Sequence, residues 1–353
     1  MRIDIILAQF SLYPFILAVI VFAITLLIAM YSTYAERKFA AFFQDRLGPN
    51  RAGPFGLLQP LADGVKMFMK EEIIPSVSNK FLFVLGPSLF MITSLMTSAV
   101  IPWGSSLTIG GEKYPLQVAD VNIGVLYLLG VVSIGVYGIM IGGWSSNNKY
   151  ALLGALRASS QMISYEVAMG ISVVTLIMLT GTLSTSEIAA QQHGFWSEGW
   201  FTWNFFKNPV TFLIFFICAL AETNRTPFDL PESETELIGG YHTEFSSMKL
   251  GLYLFAEYIN MFVSSAIMSL FFFGGYNYPG MDSIADPNLQ ALIGVAAMFG
   301  KTIFFIFVFM WIRWTIPRFR YDQLMNLGWK ILIPFSLINL VATGLVMFGL
   351  GKL

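Results

Sequence analysis

Cysteine occurs once in the 353 residues, at Cys218, and histidine twice, at His193 and His242. A single thiol cannot ligate an iron-sulfur cluster or close an internal disulfide, and the apolar run around it fits a packed core side chain. The histidines are far apart and fall on opposite sides of the topology derived below, so neither a bis-histidine haem nor a histidine metal site is supported. No strand is followed by a glycine fingerprint for dinucleotides. Charge is scarce as well: charged residues make up 12% of the chain, where a soluble domain carries about 25%. Internal repeats, low-complexity tracts and a separate soluble domain are missing too, which leaves residues 1–353 to be read as a single domain.

What fills the chain instead is apolar. Hydrophobic residues reach 56%, and the excess is gathered in runs able to cross a hydrocarbon core of about 30 Å, which takes about 20 helical residues. The runs predict an all-α, polytopic integral membrane protein with about eight transmembrane helices, at 14–34, 81–103, 123–143, 162–181, 201–221, 250–274, 289–312 and 331–350. The fifth is the weakest, because its apolar core covers only 209–221 and must borrow the aromatic stretch 201–206, unless the helix is broken. Pro87 and Pro334 sit inside spans and predict kinks.

Lysine and arginine divide unequally between the two sides. Fifteen of the 20 fall in the first, third, fifth and seventh loops, four fall on the other side (Arg2, Lys113, Lys207, Lys352), and Lys301 lies within a span. The positive-inside rule then puts those odd loops in the cytoplasm and both termini outside; a bacterial inner membrane, with the termini in the periplasm, is the expected location. Trp196, Trp200 and Trp203 fit an aromatic belt on the outer side. No cleavable signal peptide is expected, since the first charged cluster follows the first apolar run.

Two of the cytoplasmic loops carry dense polar motifs. The first runs Glu36-Arg37-Lys38, then Asp45-Arg46-Leu47-Gly48-Pro49-Asn50-Arg51-Ala52-Gly53-Pro54, and on to Asp63-Gly64-Val65-Lys66. Its Gly-Pro pairs mark tight turns. Leu57, Leu61, Val65 and Phe68 recur at helical spacing with Asp63, Lys66 and Lys70 off that stripe, the pattern of an amphipathic helix lying in the membrane interface. An ordinary basic flank with a core-facing helix would read the same way. The fifth loop holds Glu222, Arg225, Asp229, Glu232, Glu234 and Glu236, followed by Tyr241 and Glu244. Carboxylates held this close repel one another and are drawn toward sharing protons. A solvated acidic loop has the same charge count, but this one is attached directly to a span and stiffened by two prolines.

Ionisable residues inside spans are the sharper signal. Glu257 and Lys301 would each cost about 2.5 to 3.5 kcal/mol at a helix centre on insertion scales, so they point to a proton path, the alternative being a structural Lys-Glu pair. Glu166, near the start of the fourth span, belongs to the same set unless it snorkels to the interface.

The motifs from Glu36 to Lys66, from Ser146 to Arg157 with Ser164-Tyr165-Glu166, from Ala221 to Gly240, and Pro317-Arg318-Phe319-Arg320-Tyr321-Asp322-Gln323 resemble those of the H-type membrane subunits of respiratory complex I, the NADH:quinone oxidoreductase. The resemblance spans nearly the whole chain. It implies a component with no redox centre of its own, working at the junction with the hydrophilic arm. Quinone would be the substrate, while FMN and iron-sulfur clusters would reside in partner subunits. It further implies that Arg37, Arg46 and Asp63 line a quinone tunnel and that Glu166, Glu222, Asp229, Glu232, Glu234, Glu236 and Glu257 relay protons, a path to which Lys301 is added by its charge within a span. Arg51 and Arg225 would shape the loops. The implied partners are other complex I subunits, from both the hydrophilic and the membrane arm, and the lipid bilayer; nucleic acid is not among them. Two other classes stay open, the membrane component of an energy-converting hydrogenase and a stand-alone ion-coupled transporter.

Overall fold

The computed structural model describes residues 12–193, 196–197, 200–230 and 237–351. Apolar helices dominate: α1 (Leu12–Phe43), α2 (Gln59–Met69), α3 (Lys80–Met96), α4 (Gly124–Ser145), α5 (Lys149–Thr180), α6 (Pro209–Glu222), α7 (Ser247–Phe272), α8 (Pro287–Thr315) and α9 (Ile333–Gly349). Among the described residues, seven helices are long and apolar enough to cross a membrane: α1, α3 with the 3₁₀ turn that follows it, α4, α5, α7, α8, and the stretch Tyr321–Gly349 that ends in α9. The acidic residues Glu232, Glu234 and Glu236 lie outside the described residues.

Polar residues at the helix starts supply the caps. Asn79 accepts from the amides of Phe81 and Leu82, Asn148 from that of Tyr150, and Asp286 from that of Asn288, each satisfying donors that the first helical turn leaves open. α6 is the short one. Asn208 breaks the chain with φ −148° and caps the new helix through the Thr211 amide at 3.0 Å, while Pro209 occupies the first turn, where its missing N–H costs nothing. The helical turn Asn204–Lys207 is therefore separate from α6, and the stretch 201–206 does not extend it. At 14 residues α6 is roughly 21 Å long, less than the hydrocarbon thickness.

α1 and α5 overrun their apolar stretches. Each has 32 residues, so each is roughly 48 Å long. Hydropathy marks where lipid ends, whereas Ala35-Glu36-Arg37-Lys38 and Ala151-Leu152-Leu153-Gly154-Ala155-Leu156-Arg157 are mostly good helix formers that carry the rods onward. At Pro334 the chain compensates differently. The turn Leu327–Leu332 widens to a π-helix before α9 starts, absorbing the hydrogen bond that proline cannot make.

α3, α4 and α7 meet through glycine. A Cβ on Gly86 would fall 2.8 Å from the Gly142 Cα, and one on Gly138 would fall 2.8 Å from the Phe90 amide, so the α3 and α4 backbones touch directly. Tyr253 of α7 drops its hydroxyl into the gap and donates to the Gly138 carbonyl at 3.0 Å. Replacing Gly142 with valine drives a side chain into that hydroxyl and is expected to cost about 1 to 3 kcal/mol of overpacking. A lowered inactivation temperature in detergent would register it, and an unchanged one would disprove the close contact.

α7 is the buried axis, with Met261–Phe272 packed on all sides, whereas α1 and α9 keep broad apolar faces exposed. A small hairpin, β1 (Ser106–Ile109) with β2 (Glu112–Pro115), lies over the start of α8, where Asn288 bonds both the amide and the carbonyl of Thr108. At the opposite end of the bundle α2 is strapped down. Arg37 of α1 pairs with its Asp63 at 2.7 Å, and Ser247 at the start of α7 donates to its Met67 carbonyl at 3.0 Å. Its Leu61, Val65, Phe68 and Met69 remain exposed, the face an interfacial helix gives to lipid.

Candidate functional site

Four elements converge on one carboxylate. Glu36, just past the apolar part of α1, is buried, and its Oε2 accepts from Arg225 Nη1 at 2.9 Å and from the Tyr258 hydroxyl of α7 at 2.9 Å. Its Oε1 pairs with Arg313, at the end of α8. Arg225 comes from the loop after α6 and is as buried as its partner. Burial works against the Arg225 charge, but the Glu36 carboxylate, helped by Tyr258 and Glu257, outweighs it and raises the guanidinium pKa above its ordinary value. The guanidinium also lies over the Tyr258 ring, 4.2 Å from its centroid. Its Nε and Nη2 are buried without an acceptor among the described residues.

The loop that delivers Arg225 is held by three neighbours. Gln161 of α5 donates from Nε2 to the carbonyls of Ala221 and Phe228, each at 2.9 Å, and to Asn224 Oδ1 at 3.2 Å. Asn224 takes φ 49°, a left-handed conformation that asparagine tolerates better than most residues. The Phe319 amide donates to the Pro227 carbonyl at 3.1 Å, and Arg318 pairs with Asp229 at 2.9 Å. Tyr165 reaches across from α5 to the Leu324 carbonyl at 3.0 Å. The acidic loop is thus, in its described first half, packed and buried rather than solvated.

Beside the Glu36 centre is a cavity of about 510 Å³, lined among others by Glu36, Arg37, Arg46, Pro49, Tyr258 and Trp314. Its size falls within the range of small-molecule sites, about 300 to 1,000 Å³. Arg46 and Arg51 are exposed on the first loop, and Arg46 is steadied by Gln44 at 2.7 Å. Tyr258 closes the inner wall, and the neighbouring residue of α7, Glu257, is buried and accepts from the Tyr241 hydroxyl at 2.8 Å. Farther along are Glu222, buried at the end of α6, and Glu166 of α5, hydrogen-bonded to Ser133 and near enough to Glu222 for the two charges to interact.

The structure therefore places Arg37 and Arg46 in the lining of the cavity, with Asp63 joined to it only as the ion-pair partner of Arg37, and buries Glu222, Arg225, Asp229 and Glu257 in the protein interior. Lys301 stands apart. Its ammonium donates to the carbonyls of Phe273, Gly275 and Asn277 at 2.7, 2.8 and 2.5 Å and faces the Trp203 ring at 4.8 Å. These carbonyls belong to the turn just past the C-terminus of α7, where a cation is favoured by the helix dipole. Lys301 is twelve residues before Arg313 on α8, roughly 18 Å along the axis from the Glu36 centre, and its ammonium is taken up by backbone carbonyls rather than by Glu257. Among the described residues no group of three or more His, Cys, Asp or Glu is placed to hold a metal.

Sequence reasoning passed over Glu36, Tyr258, Arg313, Gln161 and Arg318 as site residues. Glu36 had a signal, a lone carboxylate among basic residues directly after a span. Tyr258 and Gln161 had none, because a tyrosine beside a buried acid and a glutamine at a span edge are common.

Known proteins of one kind resemble this chain over nearly all of its length. The NADH dehydrogenase family profile matches residues 16–344. The first of the H subunits of the NADH-quinone oxidoreductase of Cytophaga hutchinsonii is 65% identical over 337 residues, covering 95% of this chain and 97% of that protein. The corresponding H subunit of Flavobacterium johnsoniae is 62% identical over 343 residues, 96% of each chain. In Geobacter sulfurreducens the first H subunit is 49% identical over 339 residues, 93% of each chain.

Proposed function

Since the chain belongs to the NADH dehydrogenase family, as an H-type membrane subunit of respiratory complex I, we propose that it lines the quinone channel and couples quinone reduction to proton translocation. The observation that carries this reading is the contiguity of the cavity with buried charge. Glu36 and Tyr258 form its inner wall and at the same time bind Arg225, and Tyr258 is preceded directly by Glu257. A quinone headgroup in the cavity takes up electrons from partner subunits, in which FMN and iron-sulfur clusters reside. Reduction draws protons or leaves negative charge, and in a low-dielectric interior that change is felt strongly by neighbouring ion pairs. Arg225, with two donor nitrogens to spare, responds first. Glu257, Glu222 and Glu166 then pass protons toward the membrane arm. Lys301, tied to backbone carbonyls, serves as a clamp on α7 outside that path. The short α6 counts as an eighth crossing, since Asn208 at its start bonds Thr343 near the end of α9 while its other end leads into the Arg225 loop; both termini then face the periplasm of a bacterial inner membrane, and the charged loops face the cytoplasm and the hydrophilic arm.

Arg46 contacts substrate without joining the buried network. Arg46→Ala is expected to raise KM for a short-chain quinone about tenfold with kcat little changed, the signature of lost binding common to ground and transition states. An unchanged KM would remove Arg46 from the cavity wall. The reading as a whole is tested by purifying the tagged chain in mild detergent. Quinone oxidoreductase subunits and bound quinone are expected; a nickel-iron hydrogenase as companion, or no companion at all, would overturn it.

A further inference from the structure

Two small cavities flank Glu222, and the proton path has so far made no use of them. One, of about 30 Å³, runs from Thr97 and Val132 along Val125 and Phe271. The other, of about 10 Å³, runs from the same Thr97 and Val132 toward Phe90 and Met162. Along α4 the two cavities diverge from Val132, one toward Val125 and the other toward Gly135, and Thr97 borders both, so they lie in series with a shared junction. Four residues line both, and only two of these bear a carboxyl or carboxamide: Glu222 of α6 and Asn260 of α7.

Asn260 is one turn beyond Glu257 and one turn before Ser264, on one face of α7. Glu222 is more than nine-tenths buried, and among the described residues neither its side chain nor that of Asn260 has a protein hydrogen-bond partner. Buried polar groups left by the protein are satisfied by water when there is room, and one water needs about 10 to 15 Å³. The larger cavity holds two waters by that measure and the smaller holds one. Thr93, Ser94 and Thr97 donate to carbonyls of their own helix, leaving hydroxyl lone pairs for those waters.

We propose that Asn260 is a positioning residue that anchors a water in each cavity against Glu222, making the carboxyl a hydrated step rather than a dry one. The inference rests on the relay reading above and deepens it. The carboxamide suits the junction because it has both a donor and an acceptor and does not itself titrate. A proton passes from the water in one cavity to the Glu222 carboxylate, giving the neutral acid. The acid then yields its proton to water in the other cavity; the first water is reprotonated by the donor before it in the relay and the second hands its extra proton to the acceptor beyond, so carboxylate and both waters return to their starting state with one proton moved on.

The test uses the intact complex in liposomes, comparing quinone reduction with proton uptake for wild type, Glu222→Gln, Asn260→Leu and Asn260→Ser. Asn260→Leu removes the anchor and fills the space, and is expected to lower protons moved per quinone about tenfold, a modest loss beside that of a deleted acid-base group. Asn260→Ser, which keeps a polar anchor and room for water, restores most of the yield. The infrared carbonyl band that Glu222→Gln abolishes shifts in Asn260→Leu, a change that a purely packing role would not produce. If Glu222→Gln pumps normally, the relay reading fails and this inference with it. If Glu222→Gln is blocked while Asn260→Leu pumps normally, the inference alone fails. Should Asn260→Leu not assemble, a map of the wild-type complex that resolves internal waters elsewhere decides: density in both cavities supports the inference, and empty cavities overturn it.

Discussion

Replacing Arg225 with methionine is expected to remove about 3 to 5 kcal/mol of stability, the penalty for stranding one member of a buried ion pair. The effect falls on Glu36, which keeps only Arg313 and the Tyr258 hydroxyl, and on Tyr258, which loses the guanidinium stacked on its ring. In a domain of marginal stability this is enough to deplete the assembled complex. A native gel reads the loss of assembly, and the inactivation temperature of whatever assembles reads the destabilisation. Arg225→Lys recovers charge without the planar geometry that serves Glu36 and Tyr258 together, so partial rescue is expected. The double variant Glu36→Gln with Arg225→Met should be less damaged than the two single effects added, because the stranded charge is gone. Full assembly and activity of Arg225→Met would show that the pair carries little of the structure.

The second large effect belongs to function. Glu257→Gln keeps the size of the side chain and its ability to accept from Tyr241, now at 2.8 Å, but it cannot exchange a proton. Quinone-dependent proton pumping is expected to fall about a hundredfold or more, within the range for a deleted acid-base group, in a complex that assembles normally. Proton uptake into vesicles, set against the rate of NADH oxidation, separates lost coupling from lost turnover. Normal pumping with normal assembly takes Glu257 out of the relay.

How much of this was legible in the sequence depends on what each residue does. Apolar run length found the helices because lipid imposes it, and it fails at α6, where Asn208 and Pro209 restart the helix and leave the aromatic residues before them outside. It also fails at the charged ends of α1 and α5, where the helix outlasts the hydropathy that announced it. Glu257 stood out because a carboxylate amid Leu252, Leu254 and Phe255 has an insertion cost. Glu36 carried only the faint signal of a lone carboxylate beside Arg37 and Lys38, which an ordinary polar flank shares; the folding of α7, α8 and the Arg225 loop against it makes it a centre. Lys301 is the reverse case. An intramembrane lysine suggests a relay, but the carbonyls that engage it come from the backbone, which composition cannot display.

The length of α1 has a mechanical consequence. One uninterrupted rod carries Phe15, Val19 and Phe22 on its exposed flank and Glu36 at its polar end. A stiff rod cannot lean at one end and stay still at the other. Lateral pressure or a change in bilayer thickness acting on those aromatic and branched side chains is therefore delivered as torque to the carboxylate held between two arginines, which gives the surrounding lipid a grip on the buried charges at the far end.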